Sequence, residues 1–145
     1  MKLNTNISVK GLDLSHLCSF LGQKCLISAD ELTLNIINNN ALLDRAGADD
    51  IELLALTEKV ATVPHCYNVV VRTNLDRQSA ILVICHEFIH ISQMESERFV
   101  CDYHNRYFEW EGKEVSASIT YGKRPWEIEA FKRDIVLARE YRRLQ

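Results

Sequence analysis

Residues 85–95 read CHEFIHISQME, and within them His86, Glu87 and His90 form the pattern HEFIH. On a helix, residues four apart lie one above the other, so the two imidazoles can offer nitrogens to one point in space. Zinc accepts that geometry, taking histidine nitrogens at about 2.0–2.1 Å. Glu87 is turned one residue round the axis from His86, which puts its carboxylate beside such an ion. There it can act as general base on a bound water. The metal lowers the pKa of that water from 15.7 to roughly 7, and the nucleophile so produced suits hydrolysis of a peptide bond.

A catalytic zinc takes three protein ligands and keeps one position open. The arrangement in which a glycine and a third histidine follow closely is excluded, because Gln93 and Ser96 stand at those positions. His104 lies in CDYHNRYF, a stretch without helical or turn grammar to fix it. The better candidate is Glu127 in RPWEIEAF, on the first turn of a final helix, with Ala130 on the same face and small enough to allow close approach to the HEFIH helix. Glu129 competes for that role after a modest rotation. Without any metal, both glutamates would still stabilise the dipole of that helix.

The sequence Glu127-x-x-Ala130 following HEFIH resembles the gluzincin arrangement of thermolysin-like and other small HExxH peptidases, in which a glutamate from a second helix is the third ligand. The span from HEFIHISQ to PWEIEA is similar to small metallopeptidases of phages and prophages. The resemblance covers residues 76–135 at most. It implies a zincin-like domain in which the strand before the active helix lends its edge to an extended peptide, here through Val69, Val70 and Val71. It departs from the family at Phe131, where an aspartate usually hydrogen-bonds a ligand histidine. Asp134 or Gln93 is left to orient the imidazoles. Tyr121, Arg124, His104 and Tyr107 are all near enough in chain order to stabilise an oxyanion, and the sequence does not choose among them.

These residues need elements to hold them. Asn74 or Asp76 caps a long helix from about Arg77 to Met94, whose apolar residues point all round the axis, so it is buried on most sides. Each polar group on it needs a partner, since an unsatisfied one costs about 1–3 kcal/mol. Before it, CYNVVVR (Cys66–Arg72) is a strand, and Pro64 favours an edge position or its first residues. Lys2–Lys10 alternates like a short strand, and Leu12–Leu21 fits a helix opened by Asp13 or Ser15. Residues 28–37 fit either a strand or a cap and helix. Ala41–Val60, with Gly47 and the paired Asp49 and Asp50, suggests two short helices broken near the glycine. Tyr107–Trp110 and Glu114–Thr120 flank a hairpin turn at Glu111-Gly112-Lys113, and Pro125 opens the last helix, Trp126–Leu144. The class is α+β, a single domain over residues 1–145.

Composition narrows the function. Seventeen basic against 20 acidic residues give a formal charge of −3, with no electrostatic reason to expect nucleic acid or an anionic membrane as partner. The five cysteines show no C-x-x-C spacing and lie mostly in apolar surroundings, as reduced residues of a cytoplasmic protein do. The longest apolar run, Ala80–Cys85, is too short to span a bilayer, and the polar start MKLNTNISVKG carries no signal-peptide pattern. The expectation is a monomeric zinc peptidase acting on a peptide or protein substrate, with His86, His90 and Glu127 as ligands and Glu87 as base. The alternatives are a metal-stabilised scaffold with little chemistry, or an interaction protein whose histidines sit in the core.

Overall fold

The computed structural model describes residues 1–28, 30–47 and 52–145. Its larger sheet is mixed. β1 (Lys2–Thr5), β2 (Thr33–Asn38) and β4 (Cys66–Val71) run parallel, while β3 (Ala55–Lys59) lies antiparallel on β4, in the order β1-β2-β4-β3. The crossover from β1 to β2 carries α1 (Leu14–Lys24), started by the Asp13 side chain accepting from the His16 N–H. α2 (Asn40–Ala46) follows β2 and is capped by Asn39, which accepts from the Leu42 N–H. The class is α+β.

Three expectations need correction. Ala41–Val60 is not two helices: α2 occupies its first part, but Ala55–Lys59 is a strand, because five residues pair with β4 and Leu56 packs with Leu43 and Val70 in a satellite core. Asp49 and Asp50 lie outside the described residues. β4 is not an edge strand, since β2 and β3 flank it. Pro64 sits outside the strand, so its missing N–H removes no ladder bond. Tyr67, Val69 and Val71 enter the main core while Val70 enters the satellite one, so β4 is buried on both faces, as its run of β-branched residues requires. Finally, the first strand stops at Thr5 instead of Lys10.

α3 (Arg77–Glu95) starts at Asp76, whose side chain accepts from the Ser79 N–H, and runs through the middle of the molecule. A second, antiparallel sheet follows: β5 (Phe99–Asp102), β6 (Tyr107–Trp110) and β7 (Lys113–Val115). Its β6–β7 loop is Glu111-Gly112, both with positive φ (50° and 82°), the backbone that a two-residue hairpin demands. The segment after the turn pairs only as far as Val115, short of the expected Thr120. A 3₁₀ turn at Tyr121–Lys123 leads into α4 (Pro125–Arg143), with proline in its opening turn.

α4 packs along α3. Ala130 and Trp126 are fully buried, and the Trp126 ring stacks on Phe99 at 4.6 Å between centroids, which ties the small sheet to the start of α4. Among the described residues, no helix is long and apolar enough to cross a membrane.

Candidate metal centre

α3 carries His86, Glu87, His90 and Gln93 into the interior, and α4 brings Glu127 and Asp134 to meet them; all six are buried. Placement follows from periodicity. His86, His90 and Gln93 recur at helical spacing on the face turned to α4, and Glu127 and Asp134, seven residues apart, share one face of α4. The absence of a side chain beyond Cβ at Ala130 lets the two helices close on each other between them.

The His86 Nδ1 lies 3.0 Å from Asp134 Oδ2, and the His90 Nδ1 lies 2.9 Å from Gln93 Oε1. Gln93 is oriented by its other end: Nε2 donates to the Trp126 carbonyl at 3.1 Å and to Glu129 Oε2 at 2.6 Å, so Oε1 is the atom left to accept. Both imidazoles therefore donate from Nδ1, and both Nε2 atoms turn to the Glu127 carboxylate, at 2.9 Å from Oε2 for His86 and 3.1 Å from Oε1 for His90. A nitrogen lone pair and a carboxylate oxygen approach this closely only with a cation between them, either a proton or a metal.

The donor set fits an ion. The ligating atoms of His86, His90 and Glu127 all lie within 4.8 Å of one another. Ligands at about 2.0–2.1 Å from a tetrahedral ion are roughly 3.3 Å apart, so the two contacts of Glu127 with the imidazoles need a slight opening and any wider pair of donors must draw in. This group could hold a metal ion. Two imidazoles and a carboxylate suit several first-row divalent ions, so the donors alone do not select one.

The electrostatics agree with the geometry. Burial by itself would lower the His86 ring, but its bonds to Asp134 and Glu127 outweigh that and hold its pKa at about 10. Burial acts on Glu127 in the opposite sense, yet the bonds from His86 and His90 keep its carboxyl well below the usual carboxylate range. Glu87 is pushed upward, chiefly by burial, against the pull of the two histidines. Its Oε2 accepts from Thr57 Oγ1 at 2.6 Å. Tyr121 donates its O–H to Glu127 Oε2 at 3.0 Å. Glu87, His90, Glu127, Tyr121 and Arg124 line one narrow pocket together with Thr57.

Other candidates fall elsewhere. Glu129 does not face the imidazoles: it pairs with Arg98 at 2.9 Å and braces Gln93. His104 sits exposed in the turn between β5 and β6, and Tyr107 bonds Glu109. Phe131 lays its ring 4.6 Å from that of His86 and stays half exposed, while Asp134, one turn on, makes the carboxylate contact to His86. Val69, Val70 and Val71 are interior, so no peptide edge is available there. The edges of this sheet among the described residues are β1 and β3, and β3 is the one that passes α3. Leu54 O accepts from Arg72 N and Val60 N donates to Cys66 O, so even-numbered residues bond to β4. Ala55, Thr57 and Lys59 thus present backbone N–H and C=O on the free side. Nothing in the order of residues announces Thr57 until β3 is known to pass α3.

No protein-family model, curated protein or solved structure matches the chain.

Proposed function

We propose that the protein is a zinc-dependent peptidase of gluzincin type, with His86, His90 and Glu127 as metal ligands and Glu87 as general base. One observation carries the reading: both Nδ1 atoms are committed to acceptors, so both Nε2 lone pairs point to the side where Glu127 sits. That arrangement fixes the tautomers a metal needs and makes the rings more basic toward it. Bound zinc would supply Lewis acidity and make a water acidic enough to lose its proton near neutral pH.

Glu87 receives that proton on the oxygen not held by Thr57, and returns it to the departing amine. Burial raises its proton affinity toward the working range of a base. The Tyr121 hydroxyl, in the same pocket, is the donor for the oxygen that gains charge in the tetrahedral state. The peptide lies along β3, bonded to the free edges of Ala55 and Thr57, which sets its backbone next to Glu87.

A second reading, a metal-stabilised scaffold with little chemistry, draws on the tightness of the site. The narrow pocket holds about 30 Å³, room for water and not for a peptide bond. Turnover by the metal-loaded wild type and by Glu87→Gln on a broad peptide library decides between them. Under the peptidase reading, the variant keeps its metal and loses about 10²–10⁴-fold in rate. Equal turnover by the two, or none by either, removes it.

A further inference from the structure

Arg124, just before α4, has unusual surroundings for a cation. Its guanidinium carbon lies 5.3 Å from the centroid of the Phe108 ring and 5.4 Å from that of Tyr121. Its Nε is shut off from solvent and has no hydrogen-bond partner. Arg72 and Arg98 each hold carboxylates, whereas Arg124 has none within ion-pair distance among the described residues. A half-buried guanidinium without an anion is costly unless one arrives from outside.

Arg124 lines two spaces that also share Ala46, Leu56 and Tyr103: the narrow pocket of Glu87, His90 and Glu127, and a groove of about 620 Å³. Arg45, Arg106 and His104 also line that groove, against a single carboxylate, Glu58, among the described residues. Neither Arg45 nor Arg106 has an ion pair among the described residues. On a chain of net charge −3, this is a local reversal of sign beside the candidate site.

We propose that the groove selects acidic peptides: a carboxylate side chain close to the scissile bond binds Arg124, and acidic residues further along bind Arg106 and Arg45. This assignment rests on the peptidase reading for the direction of the chain, and on the groove for its charge preference. β3 forms one wall, with Leu56 and Glu58 lining the groove while the alternate residues Ala55, Thr57 and Lys59 present the open edge. A polynucleotide fits less well, because it carries a charge at every step and would meet Glu58. A peptide with acidic residues at alternate positions avoids it. Arg106 and Arg45 line the groove together with Arg124, and three guanidinium groups suit an acidic segment with several carboxylates better than a single chain terminus.

The test is binding of fluorescein-labelled ten-residue peptides to zinc-loaded Glu87→Gln protein. The peptides have an Ala/Gly background carrying Glu, Gln or Lys at alternate positions. The Glu peptide should bind at least tenfold tighter than the Gln peptide, with the Lys peptide weakest. Arg106→Glu and Arg45→Glu, each at an exposed position, should each remove most of that preference while leaving metal content, melting and Gln-peptide binding within about twofold, a change too small to count as a loss of fold. Equal binding of Glu and Gln peptides overturns the proposal. So does a preference that survives both reversals, or tighter binding of a single-stranded oligonucleotide of equal charge. Because binding is read without turnover, preference for the Glu peptide alongside a zinc-loaded wild type that cleaves nothing would remove the peptidase reading and keep the groove. Cleavage without preference would do the reverse.

Discussion

Asp134→Asn tests the support of the metal centre. The substitution keeps the shape of a buried side chain and removes the charge that faces His86 Nδ1 at 3.0 Å. Zinc at one hundred times its Kd adds about 2.7 kcal/mol to the folded state of the wild type. For a chain of 145 residues, at about 2–4 °C per kcal/mol, that is a rise in Tm of about 5–11 °C. Loss of a partner that orients a ligand costs roughly 10–100-fold in metal affinity. At the same zinc concentration, the variant then gains only about 0.4–1.4 kcal/mol, or about 1–6 °C. The assay is differential scanning of each protein with zinc and with chelator, taking the difference within each protein so that baseline stability cancels. Direct titration against a zinc indicator gives the affinities independently. An equal zinc-dependent rise in the two proteins would refute the idea that Asp134 supports a ligand, and no rise in either would dispose of the metal centre itself.

Metal binding should also depend on pH. The folded pKa of His86 is raised, so its proton stabilises the metal-free protein fully below about 6.5, and that contribution fades as pH rises through about 10. The metal must displace that proton and the one held at His90, whose pKa is also raised, so apparent affinity should climb about ten- to a hundredfold per pH unit between pH 6 and 8 in chelator competition; a flat profile contradicts this. Ala130→Leu should destabilise by about 1–3 kcal/mol in urea melts and weaken zinc binding, because the added side chain forces α4 off α3; unchanged values would show that the helices do not need this closeness. Burial pushes the thiols of Cys18 and Cys85 up to about 12 and that of Cys25 to about 11. Native protein at pH 8 should therefore resist iodoacetamide at these three positions, with a thiolate fraction roughly a hundredth to a thousandth of that of a free cysteine, and label fully once unfolded. Mass spectrometry of the labelled peptides reads the outcome.

What the sequence made legible were features with local causes. Asp76 and Asp13 open their helices because a short side chain reaches the backbone three residues on, and Glu111-Gly112 turns because two residues accept positive φ. His86, Glu87 and His90 share a helix, so their relation is nearly fixed by numbering alone. Ambiguity begins where a distant partner decides. Ala55–Lys59 has apolar spacing compatible with a helix and becomes a strand because β4 supplies its ladder. Phe99–Asp102 is a four-residue strand leading into a turn with positive φ at Arg106, a non-glycine residue that gives no sequence signal. Choosing between Glu127 and Glu129 needed the position of Arg98, which holds Glu129. Asp134 and Gln93 stood as alternatives for one duty, and the structure gives each its own imidazole.

The hairpin of β6 and β7 stands between the two helices in chain order; its base meets Trp126 through Phe108 and Trp110, but its tip does not set where α4 docks. That is set by Trp126, Ala130, Leu137, Ala138 and Tyr141, all buried in the main core. At the tip of the hairpin, nothing lies within 4 Å of the space a Cβ on Gly112 would take. The chain can therefore grow or shrink there without moving Glu127 toward or away from the imidazoles. Kinship to this protein is poorly measured by counting residues between its histidine pair and its acidic companion; an alanine three places after that glutamate and an aspartate seven places after it are the steadier marks.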